Sequence, residues 1–353
     1  MKTAVIALTK NGKELAVKIG QALNADIIAK NEVYDRVAVN GQLVLAHPFA
    51  ATFKDVIKRA FFEYEALICI MACGIVVRSI APYLKNKQSD PAVVVVDELG
   101  RFAISLLSGH IGGANRLAGK VAAVTGAVPV ITTATDINGV VAFDELAVMN
   151  DCVIENIDSL RYISSELVNG GKVCFFSDCR INGELPENIV PYNPENRCKA
   201  GVVLSNRTDT PAIAEKVLYL RPKNLILGIG CKKGKTKHEI QDAVTDFLKK
   251  SRKSLLSVRC MASIDLKSGE KGINEFSEET GIPFRTFPAS EIKRVESRFP
   301  ASEFVRKITG VGSVAEACAV LAGAEAGTKL IRPKTVYNGI TLALAEEEMV
   351  FAI

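Results

Sequence analysis

Short continuous apolar runs alternate with amphipathic segments along the first 140 residues. The runs "TAVIAL", "ALICIMA", "AVVVVD" and "FAISLL" are typical of strands whose two faces are both buried. Between such runs, "ATFKDVIKRAFFEY" (51–64) and "GANRLAGKVAAVTG" (113–126) repeat apolar residues at helical spacing. This alternation predicts a mostly parallel sheet covered by helices on both faces.

The pattern changes twice along the chain. Between 141 and 221 we expect one helix, "IDSLRYISSELVNGG", the strand "KVCFFSD", and a Pro- and Asn-rich connection. From "RPKNLILGIGCKKGKTKHEI" onward, strand, glycine turn and helix follow one another again. The sequence therefore predicts a multi-domain α/β protein with mostly parallel sheets and βα glycine turns. Its domains are predicted at 1–140, at 141–221 as a small irregular α/β domain, and at 222–353.

Composition limits the function classes. The 353 residues are 48% hydrophobic and 24% charged, with a net charge of +5, which is typical of a folded globular protein. No apolar run approaches the roughly 20 residues of a membrane span. The charge is only mildly basic and aromatic residues are 6%, so we expect no nucleic-acid partner. Most of the nine cysteines lie in apolar runs without metal-ligand spacing, so we expect a reducing cytoplasm and no structural metal.

Three segments share one design of strand, small-residue turn and helix start: "SGHIGGAN" (108–115), "GIGCKKGKT" (228–236) and "GVGSVAE" (310–316). Helix N-termini present unpaired N–H groups, and glycines let the backbone approach a ligand, so such turns bind anions. The alternative for each is a tight turn with no ligand.

The lysine-rich turn invites a nucleotide interpretation. Gly230, Gly234, Lys235 and Thr236 form G-x-x-x-G-K-T, one residue short of the phosphate-binding pattern, so we do not expect a P-loop. A basic anion site built from Lys232, Lys233, Lys235 and Lys237 remains, with a solvated lysine face as the alternative.

His110 is one of only three histidines and lies in the first of these turns. Beside a helix N-terminus the dipole disfavours imidazolium, so we expect a neutral ring that serves as general base or hydrogen-bond donor. The alternative is a packed histidine; His47 and His238 have weaker settings. "MACGIVVRSIAPYL" forms a fourth strand–turn–helix junction, at which Cys73 is either a nucleophile or a small buried residue.

Four motifs, "CGIVVRSIAP", "DELGRFAISLLSGHIGGANRLA", "GIGCKKGK" and "GVGSVAEACAVLAG", occur in one order. Together they resemble the CbiG family of anaerobic cobalamin biosynthesis, the cobalt-precorrin-5A hydrolases, over nearly the whole chain. The C-terminal part also resembles the CobE proteins. The resemblance implies a hydrolase that opens the δ-lactone of a cobalt-tetrapyrrole and releases the C20 unit as acetaldehyde, giving cobalt-precorrin 5B. It implies no resident cofactor, because cobalt belongs to the substrate.

On this basis His110 is the expected catalytic residue and no metal-binding residue is expected. The expected substrate-binding residues are Gly74, Arg78, Ser108, Gly109, Gly112, Gly113, Asn115, Gly228, Gly230, Cys231, Lys232, Lys233, Gly310, Gly312, Ser313 and Glu316. The expected partners are the tetrapyrrole substrate and, transiently, other cobalamin-pathway enzymes, with no membrane partner; the oligomeric state stays open. The alternatives are a non-enzymatic tetrapyrrole carrier and a phosphate-binding enzyme that uses "GIGCKKGKT".

Overall fold

The computed structural model describes residues 1–29, 37–39, 42–44, 52–86, 89–195, 198–324 and 327–353, and His47 lies outside these ranges. The strands are β1 Thr3–Ala7, β2 Asp26–Ala29, β3 Val37–Val39, β4 Gln42–Val44, β5 Ala66–Ile70, β6 Ala92–Val96, β7 Phe102–Leu107, β8 Val128–Val130, β9 Cys152–Ile154, β10 Val173–Ser177, β11 Arg180–Asn182, β12 Ile189–Pro191, β13 Cys198–Leu204, β14 Ala214–Pro222, β15 Leu225–Cys231, β16 Val258–Ile264, β17 Phe284–Phe287, β18 Thr328–Tyr337, β19 Ile340–Glu347 and β20 Val350–Ala352. The α-helices are α1 Lys10–Leu23, α2 Phe53–Glu63, α3 Cys73–Ile80, α4 Ala114–Thr125, α5 Ala134–Ile137, α6 Phe143–Met149, α7 Ile157–Val168, α8 Lys237–Ser251, α9 Lys271–Thr280, α10 Ala289–Ile292, α11 Glu303–Thr309 and α12 Ala315–Leu321.

The chain divides into two compact units, an N-terminal unit (Met1–Glu145) and a C-terminal unit (Leu146–Ile353). The N-terminal unit is built on one sheet with the strand order β2-β1-β5-β6-β7-β8. The first four strands of this order are parallel, β7 is antiparallel to β6, and β8 is parallel to β7. Because β7 runs in the opposite direction to β6, the turn after β7 lies at the opposite edge of the sheet from the turn after β5.

Helices cover both faces of the N-terminal sheet, because its central strands are apolar on both sides. Ile19 of α1 and Leu117 of α4 pack on one face, and Ile57 of α2 and Val76 of α3 pack on the other. The predicted α/β class with a mostly parallel sheet is confirmed.

The C-terminal unit contains two five-stranded sheets. The first, in the order β12-β10-β13-β14-β9, is parallel except for β9, which pairs antiparallel with β14. The segment predicted as irregular is therefore a sheet, and its Pro- and Asn-rich connection contains β11 and β12. Short strands of this kind have too few residues to show a clear periodicity.

The second sheet has the order β17-β16-β15-β19-β18. Strands β15, β16 and β17 are parallel, and the hairpin β18–β19 adds to them antiparallel. Helices α8 and α9 pack through Phe247 and Phe276 on one face, and α12 packs through Ala317 and Ala319 on the other. The predicted strand–turn–helix order at β15 and α8 is confirmed.

Two expectations are wrong. Cys174 and Cys198 form a disulfide between neighbouring strands β10 and β13, so these two are not free buried cysteines. Strand pairing brings them together, which their spacing along the chain does not show. The third glycine turn (310–316) follows helix α11 rather than a strand, and Gly310 is the C-cap of that helix at φ 77°.

Candidate active site

The turn that carries His110 meets a second loop at one edge of the N-terminal sheet. Strand β7 ends at Leu107 and leads into α4, while β8 ends at Val130 and leads into α5. Since β7 and β8 are parallel, their carboxyl ends lie at the same edge. The predicted position of His110 between β7 and α4 is confirmed, and the loop "TTATD" is its neighbour.

His110 lies between two aspartates. Its Nε2 is 2.8 Å from Oδ2 of Asp136, in the first turn of α5, and its Nδ1 is 3.2 Å from Oδ2 of Asp144, in the first turn of α6. The hydroxyl of Thr135 lies 3.1 Å from Nε2. Only 13% of the His110 side chain is exposed, against 31% for Asp136 and 12% for Asp144.

Asn115 extends this cluster inward. Its side-chain amide donates to Oδ2 of Asp136 at 3.0 Å and to the Thr133 hydroxyl at 2.8 Å, and its oxygen accepts from the Ser105 hydroxyl at 2.7 Å. Asn115 is buried, so these hydrogen bonds fix Asp136 from the interior of the unit. The substrate contact expected for Asn115 does not fit its burial.

The expectation of a neutral His110 ring is wrong. The hydrogen bond to Asp144 raises the pKa of His110, burial opposes it, and with the contribution of Asp136 the pKa rises to about 9. At Asp136, burial raises the carboxyl pKa, but the hydrogen bonds from His110 and Thr133 outweigh it and the pKa is lowered. Two adjacent carboxylates outweigh the helix dipole, so His110 is an imidazolium at neutral pH.

The glycines around His110 serve the turn itself. The N–H of Ala114 donates to the carbonyl of Ser108 and that of Asn115 to the carbonyl of Gly109, so the turn itself satisfies these N–H groups at the start of α4. A Cβ at Gly112 would lie 2.4 Å from Cβ of Ser108, and one at Gly109 would lie 2.7 Å from Oδ1 of Asn115. The anion site expected from these amides is not supported, because internal carbonyls already occupy them.

The junction with Cys73, Gly74 and Arg78 lies at the opposite edge of the same sheet. It follows the carboxyl end of β5, which is parallel to β6. Strand β7 runs antiparallel to β6, and its last residue, Leu107, pairs with Val93 near the start of β6. The exposed residues Gly74 and Arg78 are therefore not part of the His110 cluster.

Two of the four lysines of the lysine-rich turn are paired with glutamates. Thr236 is the N-cap of α8 in a capping box with Glu239, and Lys235 pairs with that glutamate at 2.6 Å. Lys237 pairs with Glu279. Among the salt bridges of the described residues, neither Lys232 nor Lys233 takes part, and both are exposed. The expected four-lysine anion site is reduced to these two side chains.

Gly228 and the third turn have packing roles. A Cβ at Gly228 would lie 1.8 Å from the carbonyl oxygen of Ala315, so this glycine lets α12 approach β15. Glu316 is buried, accepts from the Ser313 hydroxyl at 3.1 Å and accepts the N–H of Lys334 at 3.1 Å. These contacts leave Ser313 and Glu316 inside the unit.

Burial divides the expected binding residues into three groups. Exposed are Gly74, Arg78, Lys232, Lys233 and Gly310; half-buried are Ser108, Gly109, Gly112, Gly230 and Cys231; buried are Gly113, Asn115, Gly228, Gly312, Ser313 and Glu316. For the buried group, contact with a substrate does not fit the structure. For the others, substrate binding stays a prediction.

The sequence interpretation missed Asp136 and Asp144. The available signal was Thr133 followed three residues later by Asp136, directly after an apolar strand, which is typical of a helix start at a strand's carboxyl end. No comparable signal marked Asp144, because only the folded chain brings α6 to the ring of His110.

Two absences hold for the described part of the chain. There, no group of three or more His, Cys, Asp or Glu side chains is arranged to hold a metal ion. No helix among those residues is long and apolar enough to cross a membrane.

The sequence of this chain matches family descriptions and curated proteins. The family description "Cobalamin synthesis G N-terminal" matches residues 55–136, "Cobalamin biosynthesis central region" matches 141–222, and "Cobalamin synthesis G C-terminus" matches 225–345. A curated Salmonella typhimurium protein named cobalt-precorrin-5A hydrolase is 34% identical over 88% of this chain and 89% of its own length. The chain belongs to the cobalamin synthesis G family. The resemblance seen in the four motifs is thereby confirmed.

One further curated relative supports the assignment, and two solved structures resemble the chain. A Priestia megaterium protein named cobalt-precorrin-5A hydrolase is 33% identical over 97% of this chain and 94% of its own. A solved cobalamin biosynthesis protein G homologue from Sulfolobus solfataricus covers 98% of this chain and 97% of its own at 22% identity and a TM-score of 0.41. The solved structure of CobE covers 35% of this chain and 91% of its own at 28% identity and a TM-score of 0.34. Family membership rests on the sequence matches.

Proposed function

We propose that this chain is a cobalt-precorrin-5A hydrolase. The observation that supports this most strongly is that two relatives with that name match 88% and 97% of the chain at 34% and 33% identity. Matches of this length leave little of the chain for a different activity. The reaction proposed is hydrolysis of the δ-lactone of a cobalt-tetrapyrrole, followed by release of the C20 unit as acetaldehyde to give cobalt-precorrin 5B.

The charge distribution of the described residues is compatible with this substrate. Its acetate and propionate groups need cations, and Lys232 and Lys233 are exposed and outside the salt bridges of the described residues. The lactone needs a proton acceptor for the attacking water, and the His110 cluster provides ionised groups at a half-buried position. We propose that the lysines act in binding and the His110 cluster in chemistry.

The proposal extends to cofactor, partners and location. Cobalt enters as part of the substrate, and we propose no resident cofactor. We propose transient contact with other enzymes of cobalamin synthesis, no nucleic-acid or membrane partner, and a cytoplasmic location. In a cytoplasmic location the Cys174–Cys198 disulfide is an exception, because such bonds are rare in a reducing compartment.

The test is to incubate the purified protein with cobalt-precorrin 5A and to measure acetaldehyde through NADH consumption by alcohol dehydrogenase. We expect acetaldehyde in equal amount to the tetrapyrrole product, and none with heat-unfolded protein. Spectral binding of the tetrapyrrole without acetaldehyde would instead indicate a carrier.

A further inference from the structure

We propose that Asp136 is the carboxylate that accepts the proton of the attacking water, and that His110 and Asn115 hold it in position. This inference rests on the proposed function. It reverses the role expected for His110: the ring is the support and the aspartate is the base.

The hydrogen bonds argue against His110 as the base. A general base needs a free lone pair, and an imidazole has one only at a nitrogen that carries no proton. Both ring nitrogens face carboxylate oxygens, at 2.8 Å to Asp136 and 3.2 Å to Asp144. A ring in this setting donates from both nitrogens and has no position left for a proton from water.

Exposure selects Asp136 among the three titratable side chains of the cluster. Its side chain is 31% exposed, while those of His110 and Asp144 are 13% and 12% exposed. Its Oδ2 accepts from His110 and Asn115, and its carboxylate also accepts from the Thr133 hydroxyl. The exposed part of the side chain remains open to a water molecule. Asp136 is therefore the carboxylate of the cluster that substrate and water can reach.

Buried groups fix the orientation of this carboxylate. Asn115 is 6% exposed, and its oxygen is held by the Ser105 hydroxyl, which directs its amide to Asp136. Asp144 holds the far side of the His110 ring. These contacts hold the Asp136 carboxylate in one orientation. A carboxylate that is already within reach of the attacking water needs no reorganisation during the reaction.

The proposed steps balance without any redox partner. The water oxygen bonds to the acyl carbon, the acyl–oxygen bond of the lactone breaks, and the proton passes through Asp136 to the departing alkoxide. In the second step Asp136 takes the hydroxyl proton, and the bond between C20 and the macrocycle breaks. The electron pair stays with the macrocycle, which takes up the proton as acetaldehyde leaves.

The pH dependence follows from the charged groups that face the ring. These are Asp136 from α5 and Asp144 from α6, while α4 contributes the uncharged Asn115. If the imidazolium positions Asp136, kcat falls as pH rises through about 9, the pKa of His110. If a neutral His110 were the base, kcat would instead rise with pH over the same range.

The decisive comparison is Asp136→Asn against Asp55→Asn. Each aspartate lies three residues after a threonine N-cap, Thr133 for α5 and Thr52 for α2, but Asp55 has no histidine partner among the hydrogen bonds of the described residues. We expect Asp136→Asn to lower kcat about 10²- to 10⁴-fold with KM little changed. We expect Asp55→Asn to keep wild-type kcat and KM.

A third variant separates positioning from folding. Asp144→Asn removes one of the two carboxylates that raise the pKa of His110, so the high-pH limb of kcat should move to lower pH. Asp136→Glu keeps the charge and should retain more activity than Asp136→Asn. The pH profile of Asp144→Asn does not depend on whether Asp136→Asn folds.

Each outcome decides between the two proposals. An active wild type with an equally active Asp136→Asn variant overturns the role of Asp136 and leaves the proposed function intact. A kcat that rises through pH 9, or a limb that Asp144→Asn does not move, also overturns that role. A wild type that binds cobalt-precorrin 5A but releases no acetaldehyde overturns both.

Discussion

The protonation state of His110 gives the sharpest physical prediction. Both carboxylates that face the ring favour imidazolium, so the pKa is about 9 in the folded protein against an ordinary value of about 6.5. The perturbation is a change of pH across this interval, with His110→Gln as the reference that cannot titrate. The prediction concerns both the titration midpoint and the stability linked to it.

The sign and size follow from linkage. A raised folded-state pKa means that the folded protein binds the proton more tightly, so the added stability is complete below about pH 6.5 and is lost as pH rises through about 9. A difference of this size corresponds to about 3 kcal/mol of free energy of unfolding. The ring is 13% exposed, so solvent screening removes only part of it.

Two assays measure the effect. NMR of ¹³C-labelled histidine follows three rings in this chain, and the signal that is absent in His110→Gln belongs to His110. We expect its midpoint near 9 and a lower midpoint in Asp144→Asn. Native-state hydrogen exchange of α4 amides then reports the stability of the N-terminal unit without assuming two-state unfolding of the whole chain.

The result that would refute the reasoning is a His110 midpoint near 6.5. The second refuting result concerns the difference in α4 amide protection between the wild type and His110→Gln. If this difference is the same at pH 6 and at pH 10, the reasoning is wrong. Either result means that Asp136 and Asp144 do not hold the ring in solution as they do in the structure.

Three further predictions concern the C-terminal unit. Gly228→Ala should destabilise it by about 3 kcal/mol or more in urea denaturation, because the new Cβ would lie 1.8 Å from the carbonyl oxygen of Ala315; unchanged stability would contradict this packing. Replacing Lys232 and Lys233 by Ala should raise KM while kcat stays constant, and the difference from wild type should shrink with added salt; an effect confined to kcat would contradict a binding role. ATP, GTP and NAD should not change the melting temperature, because Thr236 caps α8 rather than binding a phosphate. A nucleotide that did bind, at about 100 times its Kd, would add about 2.7 kcal/mol to the free energy of unfolding.

The sequence alone determined the class of fold and those elements that have a clear apolar or amphipathic pattern. Apolar runs such as "ALICIMA" and "AVVVVD" identify β5 and β6, and the 3.6-residue spacing in 51–64 identifies α2 at Phe53–Glu63. These features are local, because a strand buried on both faces must be apolar throughout and an amphipathic helix must repeat with its own turn. The four ordered motifs likewise gave the family, since each is read along the chain without knowledge of its neighbours in space.

Only the tertiary structure decided the chemistry of the site. Strand direction placed His110 and Arg78 at opposite edges of one sheet, because β7 reverses against β6. The parallel pairing of β7 with β8 brought Asp136 to the ring of His110 from 26 residues away, and folding of α6 brought Asp144 from 34 residues away. Strand order and direction depend on contacts between distant segments, which hydrophobic periodicity does not encode. The charge on His110 is set by those distant carboxylates, and so it could not be inferred from the residues beside it in the sequence.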